Sequence, residues 1–412
     1  MRFIHLADLH FGKSIYGRSL LEDQKYWVDR FLEQAAAVKP QAVVIAGDVY
    51  DRSAPSGEAV QLLSGMLTGL ADLGIPALLT AGNHDSVQRL AFARPLLARE
   101  GLHISADLYE TGELTRVPLT DKYGEVDFWL MPYVFPALVS EALHVEGFGD
   151  YDAAVRFLLK RQGVDTSRRN VLVAHQNVTA HGVEAQRGGS ESMVGGVGQV
   201  EYTAFDDFDY VALGHIHAAY PVGRESVRYA GSPMYYHFDE LRQKDKGPLL
   251  VELGEKGAPV HVKPLPLEPL HPMRVVRGAY DDLCRQELED ARRGEYLRVV
   301  LTDRRFGAEE SNFFKNLYEG RGSLLLETAS EYTFTRSGEA RAISSAAVRE
   351  KPIEELYASY FAERRGEEPD AQDLALMRFA GERCRHADLQ ADPDDQDVDR
   401  LIRALMEQEV DA

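Results

Sequence analysis

Six short apolar runs punctuate the first half of the chain: RFIHLA, AVVIAG, PALLTAG, FWLMPY, NVLVAH and DYVALGH. They are rich in Val, Ile, Leu and aromatic residues and bounded by turn formers, the pattern of strands buried on both faces. Between the early runs lie helical stretches. LLEDQKYWVDRFLEQAAAVK spaces Leu20, Trp27, Phe31 and Leu32 at helical intervals, and SGEAVQLLSGMLTGLADLG opens on a serine cap and stops at Gly74. This alternation predicts an α/β fold over residues 1–265.

The ends of these runs carry the chemistry. RFIHLA leads to Asp8 and His10, AVVIAG to Asp48 and Asp51, PALLTAG to Asn83, His84 and Asp85, NVLVAH to His175, and DYVALGH to His215 and His217. Singly, each reads as a turn residue, a cap or a satisfied core histidine. Five such tips together point elsewhere, because the carboxyl ends of strands in an open α/β sheet share one edge, where ligands bind. Gly47, Gly82 and Gly214 precede three of the tips and let the backbone turn sharply there. Carboxylate, imidazole and amide donors without thiolate suit Mn²⁺, Mg²⁺ or Fe²⁺ and admit Zn²⁺. Their number exceeds what one ion needs and favours two ions sharing a carboxylate.

Composition narrows the choice. With only Cys284 and Cys384, neither a disulfide framework nor a paired-cysteine metal knuckle is available, so the thirteen histidines must carry any metal chemistry. No run of eighteen apolar residues occurs and the start reads directly as a strand, which predicts a soluble, cytoplasmic protein with no membrane partner. The formal charge of -20 speaks against a surface coated for nucleic acid, although eighteen acidic against nine basic residues lie beyond residue 344.

Four prolines between Lys263 and Met273 predict a stiff linker and a boundary. Residues 270–335 then read as a small α+β module, with no histidine beyond His271 until the tail. Residues 345–412 read as a helical tail in which Ile353, Leu356, Tyr357, Tyr360 and Phe361 share a face, suited to docking on a partner or folding back on the chain itself. The glycine-rich QRGGSESMVGGVGQV after His175 is a candidate mobile loop.

The ordered set D-x-H, G-D-x-x-D, G-N-H-D, H and G-H-x-H resembles that of the calcineurin-like metallophosphoesterases. Within them, ADLHFGK, GDVYDR, GNHDS, FDYVALGHIH and YAGSPMYYHFDE are most similar to the nuclease subunits of bacterial DNA end-processing complexes. The resemblance implies a sandwich of two β-sheets flanked by helices, with a capping module and a helical tail. It assigns Asp8, His10, Asp48 and His217 to one divalent ion and Asp48, Asn83, His175 and His215 to another, with Mn²⁺ the expected metal. His84 would face the scissile phosphate, with Asp51 oriented on it to raise its basicity, and Asp85 would fix the loop. Lys13, Arg18, Arg52, Arg304 and Arg305 are the basic residues placed to touch DNA, though each is equally a plain surface charge. The resemblance also implies a coiled-coil ATPase partner on the tail helices and a homodimer formed through residues 56–100. The expected activity is 3′ to 5′ exonuclease on duplex ends and endonuclease on single strands or hairpins. A phosphodiesterase of small substrates and a DNA end-tethering module remain open alternatives.

Overall fold

The computed structural model describes residues 1–331, except 106, 107, 146, 182–197 and 245, together with scattered positions from 355 to 378. The chain forms two compact units, Met1–Tyr332 and Thr333–Ala412. The candidate mobile loop after His175 lies almost wholly outside the described residues, as does most of the tail. In the second unit, Tyr357 and Phe361 sit one helical turn apart with ring centroids 5.7 Å from each other.

The first unit is built on two six-stranded sheets. In one, Arg2–Leu6, Ala42–Ala46, Ala77–Thr80 and Leu102–Ile104 run parallel in that order, Leu249–Glu252 pairs antiparallel with Arg2–Leu6, and His261–Pro264 pairs antiparallel with Leu249–Glu252 at the edge. The other has Gly124–Met131, Arg169–His175, Tyr210–Gly214 and Arg224–Tyr229 parallel, closed by Thr115–Asp121 and Pro221–Val222 antiparallel at the two edges.

Period-two alternation sorts the side chains into layers. Phe3, Val44 and Leu78 from the first sheet meet Phe128, Val173 and Tyr210 from the second in a shared core. The opposite face of the first sheet packs Ile4, Val43, Ile45 and Leu79 against two helices. One of these, Leu21–Val38, buries Trp27, Val28, Phe31 and Ala35 on a single stripe, with the Trp27 and Phe31 rings stacked at 5.2 Å. The other, Gly57–Asp72, is capped by Ser56, whose hydroxyl accepts the Ala59 amide, and buries Leu63, Met66, Leu67 and Leu70. Each such side chain contributes about 1.5–3 kcal/mol when fully buried. His5 is a buried polar residue between the sheets, and its ring spans from the Tyr210 hydroxyl at 3.0 Å to the Leu213 carbonyl at 3.2 Å.

Lys263 and Pro264, expected to open the linker, instead close an edge strand. An edge tolerates proline because the missing N–H costs no central ladder bond. The linker that follows leads into Met273–Gly278, Tyr296–Leu301 and Leu324–Ser330, a parallel three-stranded sheet carrying the helices Tyr280–Glu289 and Ala308–Glu319. This module has its own core of Val276, Leu283, Leu297, Val299, Leu301, Phe314 and Tyr318. It meets the sandwich at Tyr296, whose hydroxyl donates to Asp23 at 2.8 Å and accepts from Arg18 Nε at 3.1 Å, while His271 reaches the other Asp23 oxygen at 2.8 Å.

Candidate metal centre

The strands ending at Leu6, Ala46, Thr80, His175 and Gly214 deliver their following residues to one place. The backbone there is strained: Asp8, His10, Asp48 and His215 all have positive φ, at 54°, 43°, 46° and 103°. Such conformations cost on the order of 1–3 kcal/mol each in non-glycine residues and persist only where surrounding structure imposes them. Here the constraints are visible. The Asp8 amide donates to the Gly47 carbonyl at 3.1 Å, the His10 amide to the Asp48 carbonyl at 2.9 Å, and the His215 amide to the Asp8 carboxylate at 3.0 Å.

Two of the tip glycines are required by close approach. A Cβ on Gly214 would stand 1.9 Å from the Ala46 carbonyl oxygen, and one on Gly82 would stand 2.1 Å from Asp48 Oδ1.

Donor atoms of Asp8, His10 and His217 lie within 4.8 Å of one another, as do those of Asp8, Asp48 and His175, and those of His10, Asp48 and His84. Asp48 Oδ2 stands between the groups, 3.6 Å from His10 Nε2 and 3.4 Å from His175 Nε2. Asn83 Oδ1 lies 3.2 Å from His175 Nε2 and 3.1 Å from His215 Nδ1. The tautomers follow from the outer partners. His175 Nδ1–H donates to the Ala46 carbonyl at 2.8 Å, leaving Nε2 turned to Asp48 and Asn83. His217 Nδ1 faces Glu240 Oε1 at 3.3 Å, leaving its Nε2 opposite His10 Nε2 at 3.2 Å.

Two imidazole nitrogens aimed at each other, with carboxylate and amide oxygens alongside, form a set of facing lone pairs. Such a set fits divalent cations and repels itself without them. Burial pushes the Asp8 carboxyl up to about 6 and the His10 ring down to about 4. Burial also takes His215 down to about 3. At His175 burial works against charge, but the Asp48 and Asp8 carboxylates outweigh it and lift the ring to about 9.

The structure brings all seven expected ligands together, with His84 at the rim. The His84 side chain is 36% exposed, its amide donates to Asp48 Oδ1 at 3.0 Å, and its Nε2 lies 4.0 Å from Asp48 Oδ2. The expected carboxylate pairing with Asp51 is not what the structure has. The Asp51 carboxylate lies 2.7 Å from Lys13 Nζ and 3.3 Å from His10 Nδ1, and the atom that reaches His84 Nδ1, at 2.9 Å, is the Asp51 backbone carbonyl oxygen. The reason is local: an ammonium and a ring nitrogen compete for the carboxylate, and the turn presents the carbonyl to His84 instead. Burial works to raise the Asp51 carboxyl, but His10 and Lys13 hold it well below the usual carboxylate range. The Asp85 carboxylate accepts the amides of Val49, Tyr50 and Gly82 at 2.9–3.0 Å and so ties two of the tips together.

The remaining basic residues are less gathered. Besides its pairing with Asp51, Lys13 lies 5.5 Å from the centre of the Tyr236 ring, and Arg18 is engaged with Tyr296. Arg52 and Arg305 are exposed, while Arg304 pairs with Asp303 at 3.1 Å and sits 4.7 Å from the Tyr280 ring. Glu240, Lys246, Tyr236 and Tyr133, whose ring lies 5.9 Å from the His215 ring, also stand at the centre and lie outside the expected set. Glu240 and Tyr236 fall inside the motif YAGSPMYYHFDE and Tyr133 ends FWLMPY, but neither stretch carried a signal of what those side chains touch.

This centre lies at the carboxyl edge of a two-sheet sandwich, and residues 1–219 match the calcineurin-like phosphoesterase family. A Staphylococcus saprophyticus protein described as the SbcD component of nuclease SbcCD is 31% identical over 331 residues, covering 80% of this chain and 85% of that one. Its Staphylococcus epidermidis counterpart, with the same description, is 30% identical over 306 residues, covering 74% and 79%. The chain belongs to the calcineurin-like phosphoesterases and, within them, to the SbcD family.

Proposed function

We propose that the chain is a DNA nuclease subunit that uses two divalent ions, Mn²⁺ in preference to Mg²⁺ or Fe²⁺, and acts in DNA repair and recombination. Asp8, His10, Asp48 and His217 hold one ion, and Asp48, Asn83, His175 and His215 the other. The observation that carries this reading is the placement of Asp48 Oδ2 between His10 and His175, with His84 exposed at the rim. Divalent ions in such a pair supply Lewis-acid polarisation of a phosphoryl oxygen and a nucleophilic water at neutral pH. His84 does the remaining proton work. The Asp51 carbonyl fixes its Nδ1–H, which leaves Nε2 to carry the proton given to the departing 3′ oxygen.

The activity is 3′ to 5′ exonuclease on duplex ends and endonuclease on single strands or hairpins. Lys13, Arg18, Arg52, Arg304 and Arg305 contact the phosphate backbone, with residues 270–335 as the capping domain beside a nuclease domain of residues 1–265. The protein is cytoplasmic and works with an SbcC-type coiled-coil ATPase docked on residues 345–412. It pairs with a second copy through residues 56–100, a region whose Phe92 and Leu96 side chains are 80% and 61% exposed. Among the described residues no helix is long and apolar enough to cross a membrane.

The deciding experiment compares purified protein and His84→Ala on an end-labelled duplex, a single-stranded circle and a small chromogenic phosphodiester, with Mn²⁺ or a chelator. Metal-dependent cutting of both DNAs, lost in the variant while Mn²⁺ stoichiometry is kept, supports the proposal. Turnover of the small ester alone, unchanged by the ATPase partner, replaces it with a small-substrate phosphodiesterase.

A further inference from the structure

The two halves of the metal centre differ in what stands behind their histidines. His175 donates Nδ1–H to a neutral acceptor, the Ala46 carbonyl. His217 is backed by Glu240, a fully buried carboxylate that lies 3.3 Å from its Nδ1. Glu240 is in turn held by Lys246, whose Nζ lies 2.8 Å from Oε2 and 2.8 Å from the His217 carbonyl oxygen. The Tyr236 amide also donates to Glu240 Oε2, at 3.1 Å, and the Tyr236 ring packs 5.7 Å from the His217 ring.

Burying a carboxylate and an ammonium is expensive, and replacing such a pair with apolar groups is often neutral or stabilising. Stability alone is therefore a poor account of it. A carboxylate behind a ligating imidazole fixes the tautomer and makes the ring a stronger donor, and its removal typically costs 10–100-fold in metal affinity.

Resting on the two-ion reading above, we infer that Glu240 is a positioning residue that makes the two ion sites unequal. The set of Asp8, His10, Asp48 and His217 is the tighter site and fills first, and Lys246 keeps Glu240 in place behind His217. The ligand charges run the same way: this set has two carboxylates, and the set of Asp48, Asn83, His175 and His215 has one.

The test is calorimetric titration of chelator-treated full-length protein with Mn²⁺, with free Mn²⁺ followed by electron paramagnetic resonance. Four proteins are compared: wild type, Glu240→Gln, the double variant Glu240→Gln/Lys246→Met, and Asn83→Ala as a marker for the second set. Wild type should bind two ions with resolved affinities, and Asn83→Ala should lose the weaker. Glu240→Gln should weaken the tighter site 10–100-fold and leave the other within a few-fold. The double variant removes the unpaired ammonium, so it should recover the unfolding midpoint of the metal-free protein without recovering the affinity. Recovery of affinity in the double variant would mean that Glu240 serves only to neutralise Lys246, which overturns the inference. An equal loss at both sites, or no loss, overturns it as well while leaving the two-ion centre standing. Wild-type protein that binds fewer than two Mn²⁺ overturns the two-ion reading and this inference with it.

Discussion

Replacing Gly47 by alanine tests whether the bridging region is as rigid as its geometry implies. Gly47 has φ of +78°, and a Cβ there would lie 2.4 Å from His175 Nδ1 and 2.5 Å from Cγ. The imidazole has little room to retreat, because His175 is fully buried and its Nδ1–H bonds the Ala46 carbonyl. Left-handed backbone costs an L-residue roughly 1–2 kcal/mol. Overpacking adds about 1–3 kcal/mol, and loss of the Ala46 hydrogen bond about 0.5–1.5 kcal/mol. Gly163→Ala separates these contributions, since Gly163 has a similar φ of +61° but nothing within 4 Å of its would-be Cβ. Gly47→Ala should therefore lose about 2–4 kcal/mol more than Gly163→Ala. The assay is urea unfolding of metal-free protein, paired with Mn²⁺ titration, in which Gly47→Ala alone should lose affinity. Equal destabilisation of the two variants, with Mn²⁺ binding intact in both, would refute the claim that His175 is locked by its neighbours.

Other consequences are as direct. Asp51→Asn keeps the backbone carbonyl that holds His84 but removes the carboxylate behind His10, so turnover of a chromogenic phosphodiester at saturating Mn²⁺ should fall less than about tenfold, against roughly 10²–10⁴-fold for His84→Ala. A loss in Asp51→Asn as large as in His84→Ala would show that the carboxylate itself acts. Tyr296→Phe keeps the ring but removes the hydroxyl between Asp23 and Arg18; it should destabilise the first unit by about 1–3 kcal/mol in urea unfolding, and no change would mean that this contact does not hold the small module. Chelation should lower the melting temperature relative to protein in Mn²⁺, because a site kept at 100 times its Kd contributes about 2.7 kcal/mol. An unchanged melt would argue against tight binding in the folded state.

The clustering of these residues was legible because each stands at or just past the end of an apolar run, and an α/β sheet aligns such ends whatever their separation in the chain. The helix Gly57–Asp72 was legible from its serine cap and its apolar spacing. The second sheet was harder to read, since its edge strand Thr115–Asp121 is half exposed and carries polar residues on its open face. The Asp51 expectation failed at a finer level: residue spacing brings Asp51 to His84, but it cannot decide whether carboxylate or carbonyl arrives. Glu240 follows no apolar strand, and its partners His217 and Lys246 are reached only after the chain folds back on itself. His5 lies inside a strand where period-two alternation predicts another apolar residue, and it is satisfied by Tyr210 and Leu213 from the opposite sheet.

The positions of Asp8 and His217 carry a consequence for how the protein comes into being. The His215 amide bonds the Asp8 carboxylate and the His217 ring faces His10, so the first strand's tip is completed by residues more than two hundred positions later. A chain emerging from the ribosome holds Asp8, His10 and Asp48 early but has no finished centre until the strand Tyr210–Gly214 has been made and has docked. Completion of the centre is thus a late event of synthesis, and a prematurely ended polypeptide lacking that strand has Asp8, His10 and Asp48 without the residues that face them.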